Sequence, residues 1–257
     1  MSDVADWWST SIIDMEPGRI DLRGTPIQDL IGNLGFAEMI WFMVRGDRPS
    51  TAQLKLFEAA LVAAVDHGPQ APSIATARMA VTCGLPLNNA IASAVNMLGD
   101  IHGGAGEQAV TLYQFVNAHP SAVGPALDDW IAAQGKILPG FGHRFHTPTD
   151  PRAPRLMSLV DEAIEAGACD GRYKSVAIDI EGELAQRKGK PVPMNIDGAT
   201  AVIYAELGFD APLARGLFCL SRSVGILAHA LEQSQQGGRN KGPTPPKYRW
   251  TYLPSDT

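Results

Sequence analysis

Six histidines carry the most adaptable acid–base chemistry in the chain, and three of them stand in glycine-flanked, loop-like stretches. These are His67 in Asp66-His67-Gly68-Pro69, His102 in His102-Gly103-Gly104-Ala105, and His143 in Gly140-Phe141-Gly142-His143-Arg144. Imidazole gives or takes a proton near neutral pH, and a neighbouring glycine lets the backbone turn sharply and a ligand come close. Taken singly, each reads as readily as a hydrogen-bonded structural histidine at a helix end. One carboxylate stands out: Asp197, in Pro193-Met194-Asn195-Ile196-Asp197-Gly198-Ala199, where an irregular stretch enters a helix. Alone it reads as a helix N-cap. Arg152, and Arg222 inside an otherwise apolar helix, are the singular cations. Such an arginine either snorkels outward or grips a carboxylate with its planar fork. His119, beside Pro120, reads as a surface helix terminus, His146 as a neighbour of the site, and His229 as a packed or capping residue.

Other chemistries fit less well. His143 and His146 are three apart, but Gly142 and Pro148 interrupt any helical face and no H-E-x-x-H or cysteine partner exists, so no metal is expected. Gly140-x-Gly142 completes neither phosphate-loop pattern, and no G-x-S-x-G occurs. The three cysteines, Cys83, Cys169 and Cys219, are far apart and read as small buried hydrophobes rather than a disulfide framework.

The elements that must position these groups are helical. Apolar residues at Ile27, Leu30, Ile31, Leu34, Met39, Ile40 and Met43 predict a helix over 27–44, with Thr25-Pro26 as cap and first-turn proline. Further helices are predicted over 50–65, 88–98, 107–118, 123–137, 150–166, 173–187, 200–207 and 213–235. No period-2 strand of useful length and no internal repeat is evident. Glycine and proline cluster between the helices, which places the chemistry on loops and helix ends.

The 257 residues, 45% hydrophobic and 19% charged, suit a soluble globular protein, and no uninterrupted apolar run reaches the length of a membrane span. Met1 to Ser11 carries acidic residues and tryptophans where a secretory signal would be basic and then apolar, so a cytoplasmic protein is expected. A net charge of −6 argues against a nucleic-acid partner. Basic residues concentrate at Gln186-Arg187-Lys188-Gly189-Lys190 and around Arg144, Arg152 and Arg155.

The motifs in order, D-H-G at His67, H-G-G-A-x-E at His102, G-F-G-H-R followed by D-P-R, N-I-D at Asp197 and S-R-S-V-G at Arg222, resemble the citrate synthase superfamily over nearly the whole chain. The segment Leu22 to Leu30 resembles the family's R-G-x-P-I-x-D-L. The resemblance implies an all-α, two-domain helical fold, with a large domain from residues 1–102 and 198–257 and a small one from 103–197. It implies a catalytic trio of His102, His143 and Asp197. Oxaloacetate or citrate would be held by His67, Arg152 and Arg222, with Arg239 reaching from a second subunit. It assigns CoA to Lys188 and Lys190 and to the loop Pro139, Gly140, Phe141 and Gly142. It further implies a homodimer, with a tetramer as the alternative, and a coenzyme A thioester as substrate with no tightly bound cofactor.

In that chemistry Asp197 removes a proton from a thioester methyl while His102 stabilises the enolate oxygen, and His143 polarises the ketone of oxaloacetate or takes the hydroxyl proton of citryl-CoA. Four departures from ordinary citrate synthases resemble citryl-CoA lyases and the lyase module of ATP-citrate lyase instead. The stretch ahead of His67 is short, Gly198-Ala199 stands where synthases have an aromatic, Gly-Pro-Gln-Ala-Pro-Ser follows His67, and the tail reads Gly237-Gly238-Arg239-Asn240-Lys241-Gly242-Pro243. Cleavage of citryl-CoA to acetyl-CoA and oxaloacetate is therefore the expected activity. The alternatives are citrate synthase, a 2-methylcitrate or other acyl-CoA variant, and a non-catalytic CoA or dicarboxylate-binding subunit.

Overall fold

The computed structural model describes residues 2–143, 146, 148–240, 242, 245 and 247–254, so Arg144 of the second basic cluster and Lys241 and Pro243 of the tail motif lie outside the described residues. In chain order its elements are α1 (Ser2–Trp7), β1 (Ile13–Glu16), β2 (Arg19–Leu22), β3 (Thr25–Pro26), α2 (Ile27–Leu30), α3 (Phe36–Arg45) and α4 (Thr51–Ala63). There follow α5 (Pro72–Thr82), α6 (Leu87–Val95), α7 (Ala105–Ala118), α8 (Val123–Gln134), α9 (Arg152–Glu165), α10 (Arg172–Lys188), α11 (Ile196–Glu206) and α12 (Ala211–Gln236). Contacts divide the chain into two compact units, Met1–Ala63 with Ala105–Arg215, and Ala64–Gly104 with Gly216–Thr257. These segments are cut at other residues than the sequence-derived 1–102/198–257 and 103–197.

Several local features differ from the sequence reading. The stretch 27–44 is two helices, because Gly32 takes φ +82° and Gly35 caps α3 in extended backbone. Thr25–Pro26 is a strand pairing with Asp21–Leu22, and Pro26 stands at the N-cap of α2, before rather than within its first turn, with no side chain capping the helix. Ile13-Asp14-Met15-Glu16 and Arg19-Ile20-Asp21-Leu22 form an antiparallel hairpin in register Ile13↔Leu22, with Arg19 Nη2 2.7 Å from Asp14. The helix α5 is also an addition: Pro72 at its first turn provides the preset backbone angle.

In the first unit, Trp41, Phe57 and Phe209 pack with ring centroids 5.1–5.5 Å apart. α11 is its axis. Gly198 through Ala205 are all buried, which suits a short helix that is apolar on every side and surrounded by α4, α7, α9 and α10. In the second unit, alanines on α5 and α6 (Ala77, Ala80, Ala90 and Ala94) pack with Ile74, and small side chains let the helix axes come close. Ile226 and Ala230 of α12 complete that core.

Among the described residues α12 is the one helix long and apolar enough to cross a membrane by length and composition. It packs Ile226 and Ala230 into the core of the second unit and carries Arg222 at 6% exposure, hydrogen-bonded to a backbone carbonyl.

Candidate functional site

In the second unit the glycines of the H-G-G motif are required by close packing. A Cβ on Gly104 would lie 2.6 Å from the carbonyl oxygen of Asp100, and Gly103 takes φ +101° with Leu98 and Phe218 against it. This tight turn presents His102 to the start of α5, where the Ser73 N–H donates to His102 Nε2 at 3.1 Å. That N–H is one of the amides a helix leaves unpaired in its first turn. Neutral imidazole has one donor and one acceptor nitrogen, so the bond places the remaining proton on Nδ1. Burial, and then the nearby Arg222 charge, push the His102 pKa below its ordinary value. His102 is thus a neutral imidazole offering an Nδ1–H donor. Arg222 is held beside it by an Nε bond to Ala64 O at 3.1 Å and by Phe218, whose ring lies 4.8 Å from the guanidinium carbon.

In the first unit the loop 139–142 docks on the entry to α11. Gly142 N donates to Pro193 O at 2.8 Å, Asn195 N donates to Gly140 O at 3.0 Å, and Phe141 bridges Met194. Asn195, not Asp197, is the N-cap: its Oδ1 accepts from Asp197 N and Gly198 N at 2.9 and 3.1 Å. Its Nδ2 donates to Gly142 O at 2.7 Å, so one side chain ties the residue before His143 to the turn that carries Asp197. Asp197 is the second residue of the helix, half-buried, where the positive helix end favours a carboxylate. Gly198 is required there, since its Cβ would lie 2.3 Å from Gly140 O. Tyr113, fully buried, donates to Gly198 O at 3.3 Å and meets Phe141 edge-on.

His143 Nδ1 accepts from His146 N at 3.1 Å, which places the proton of the neutral ring on Nε2. Burial first, then the charges of His146 and Arg152, lower the His143 pKa, against an opposing pull from Asp150. Both histidines are accordingly neutral at pH 7, with opposite tautomers.

Asp150, singled out in the sequence only as part of D-P-R, proves to be the group that organises this side. It is 1% exposed. Its Oδ1 accepts from Arg152 Nε and N at 3.0 and 3.1 Å, and its Oδ2 from Arg152 Nη2 and Ile196 N at 2.8 and 3.1 Å. Arg152, the expected carboxylate ligand, is therefore fixed by a bidentate fork, and the same carboxylate anchors the first turn of α11. Ser73, Asn195 and Asp150 were all missed as site residues. The signals in the sequence were Pro72 opening a helix, Asn two residues before Asp197, and Asp directly before Pro151-Arg152.

The other sequence candidates are also placed. His67 is exposed on the loop between α4 and α5. Arg239 is exposed beyond α12, where Asn240 N is tied to Thr82 O at 2.9 Å. Lys188 ends α10, Gly189 caps it at φ +63°, and Lys188 and Lys190 are both exposed. Arg187 of the same run is engaged with Glu183, Asp128 and Gly124 O, each at 2.7 Å, and so serves the fold. Pro139 and Gly140 are buried. An open recess of about 290 Å3 lies against the turn after α10, lined by Ile178, Glu181, Gly182, Ala185, Pro191 and Val192. Among the described residues no group of three or more His, Cys, Asp or Glu is placed to hold a metal ion.

Residues 52–244 match the model of the citrate synthase C-terminal domain. A citrate synthase of Haloferax volcanii is 30% identical over 215 residues, 82% of this chain and 55% of that protein, so the chain spans about half the length of such curated relatives. The structure of citryl-CoA lyase from Hydrogenobacter thermophilus superposes with a TM-score of 0.86 at 31% identity, covering 97% of this chain and 96% of that one. ATP citrate lyase from Methanothrix soehngenii shares the fold at a TM-score of 0.82 and 20% identity, over 96% of this chain and 42% of that one. With a domain match over most of its length and a mainly helical fold common to these structures, the chain belongs to the citrate synthase family.

Proposed function

We propose that the chain cleaves citryl-CoA to acetyl-CoA and oxaloacetate. The observation that carries this reading is the superposition on the citryl-CoA lyase of Hydrogenobacter thermophilus, at a TM-score of 0.86 and 31% identity. Gly198 adds to it: any side chain in its place, such as the aromatic that follows the aspartate in synthases, would bring its Cβ to 2.3 Å from the Gly140 carbonyl oxygen.

In this mechanism the citryl hydroxyl loses its proton as the bond between the carbinol carbon and the thioester methylene breaks. The electron pair passes to the thioester, whose oxygen receives a hydrogen bond from His102 Nδ1–H. Asp197, as the acid, then protonates the enol carbon to give acetyl-CoA, while the carbinol becomes the ketone of oxaloacetate. His143 Nε2 serves the oxygen of that carbinol or ketone. Its Nε2–H tautomer suits the ketone, so accepting the hydroxyl proton requires the His146 N–H bond to Nδ1 to open. Arg152, Arg222 and His67 hold the carboxylates, with Arg239 acting in a second subunit of a homodimer. Lys188 and Lys190 meet the CoA phosphates. The recess at Pro191–Val192 suits the apolar part of CoA, since Val192 also lies against Gly142 of the predicted CoA loop.

Citryl-CoA is expected to yield oxaloacetate, followed with coupled malate dehydrogenase, faster than it yields citrate and free CoA, followed with a thiol reagent. Rapid thiol release with little oxaloacetate would replace this reading by citrate synthase. The 30% identity to a citrate synthase over most of the chain favours that second reading. A subunit that only binds CoA or a dicarboxylate turns over neither.

Replacing Lys188 and Lys190 together by Ala is expected to raise KM for the CoA ester about tenfold at low salt and less at 0.5 M salt, with kcat unchanged, because exposed charges are screened. An unchanged KM assigns the two lysines to a solvated face.

A further inference from the structure

The loop that carries His67 is docked residue by residue on one face of α12. Arg222 Nε donates to Ala64 O at 3.1 Å. Three residues on, Gly225 lies so close to the loop that a Cβ would be 2.1 Å from Val65 O. Four further on, His229 Nε2 is 3.2 Å from Asp66 Oδ1. Residues 222, 225 and 229 lie on one side of a helix. They meet three consecutive loop residues, and His67 is the next in line. Asp66 also closes the loop on the far side, its Oδ2 accepting from Gly68 N at 3.2 Å.

His229 is itself held in place. Arg78 of α5 brings Nη1 to 3.5 Å from His229 Nδ1, and the same nitrogen donates to Glu232 Oε2 at 2.8 Å. Arg78 Nη2 donates to Gln236 Oε1 at 2.7 Å. Since guanidinium only donates, Nδ1 is the acceptor and Nε2–H points to Asp66. The histidine thus bridges a cation on α5 and a carboxylate on the loop. It is more than the packed or capping residue expected of it.

We propose that His229 is a positioning residue for the dicarboxylate substrate: through Asp66 it fixes the loop so that His67 is presented to oxaloacetate. This rests on the reading of His67 as an oxaloacetate ligand. The bridge needs a donor at the Nε2 position, which glutamine supplies and alanine does not.

Oxaloacetate and CoA binding to the intact protein, measured by titration calorimetry, test the idea with His67→Ala, His229→Ala, His229→Gln and the double variant H67A/H229A. His229→Ala is expected to weaken oxaloacetate about tenfold or more, the scale of a hydrogen bond to a charged group, while CoA affinity stays within about twofold. His229→Gln restores most of the loss. In the His67→Ala background, removing His229 costs little further, because its effect passes through His67. Wild-type oxaloacetate affinity in His229→Ala overturns the proposal, as does full additivity of the two losses or an equal loss of CoA binding. If His229→Ala does not fold, His229→Gln must itself fold and bind oxaloacetate within a few-fold of wild type, and a tenfold loss in that folded variant overturns the proposal equally. If His67→Ala binds oxaloacetate normally, the ligand reading of His67 fails instead, and the inference falls with it.

Discussion

Replacing Asp197 by Asn is expected to lower turnover of citryl-CoA by about 100- to 10,000-fold, the range that a positioned acid or base contributes. The substitution is isosteric, and the fold has no need of the carboxylate as a cap, because Asn195 accepts from Asp197 N and Gly198 N. Thermal unfolding of the variant should therefore stay close to the parent's, lowered by no more than the ~1 kcal/mol that the helix end gives an ionised carboxylate. The amide neither gives nor takes the proton that moves on and off the acetyl carbon, so solvent deuterium should also cease to enter the methyl group of acetyl-CoA. His102→Ala removes the Nδ1–H donor instead and should cost on the order of 100-fold or more in rate. Near-parent turnover and exchange in Asp197→Asn would remove the mechanism, whichever direction the reaction runs.

Asp150→Ala is expected to do two things that Asp197→Asn does not. It removes the acceptor of three hydrogen bonds from Arg152 and of one from Ile196 N, and so leaves a cation and a helix-start amide unpaired inside the protein. Breaking such a buried pair costs about 2–4 kcal/mol, toward the lower end because the Arg152 side chain is 23% exposed and keeps some water. Turnover should fall with it, since Arg152 loses the fork that orients it. Burial by itself would raise the Asp150 pKa, but the hydrogen bonds and charge of Arg152 and the Ile196 N–H outweigh it and hold the carboxyl below the usual range. The sign follows. A carboxyl whose pKa is lower folded than unfolded stabilises the fold at pH above its unfolded value of about 4, and that stabilisation is lost as pH falls through the folded value. Urea unfolding of parent and Asp150→Ala should differ by a constant amount from about pH 5 to 8, and the gap should narrow only below about pH 4. A gap that closes already at pH 6 would show that the stabilisation does not come from an ionised Asp150.

The linear pattern of the chain was enough for most of the helices and for the order of the chemistry-bearing motifs. Helix α9, for example, shows its apolar face at Leu156, Leu159, Val160 and Ala163, a spacing that only a helix gathers on one side. It was not enough for α5, whose small residues give little contrast between faces, nor for β1 and β2, which are four residues each and half charged. The break at Gly32 to Gly35 was masked because apolar residues on either side continue one helical register.

What the tertiary structure alone decided is the state of the reactive groups. The tautomer of His102 is set by the Ser73 N–H, 29 residues away, and the freedom of Asp197 from capping duty by the side chain of Asn195. Arg152 owes its orientation to Asp150, which in turn reaches across 46 residues to Ile196 N. Residue type and local spacing determine which elements form, since those depend on neighbours along the chain. Proton positions and buried ion pairs depend on which donor arrives from elsewhere in the fold, and on how much water its arrival excludes.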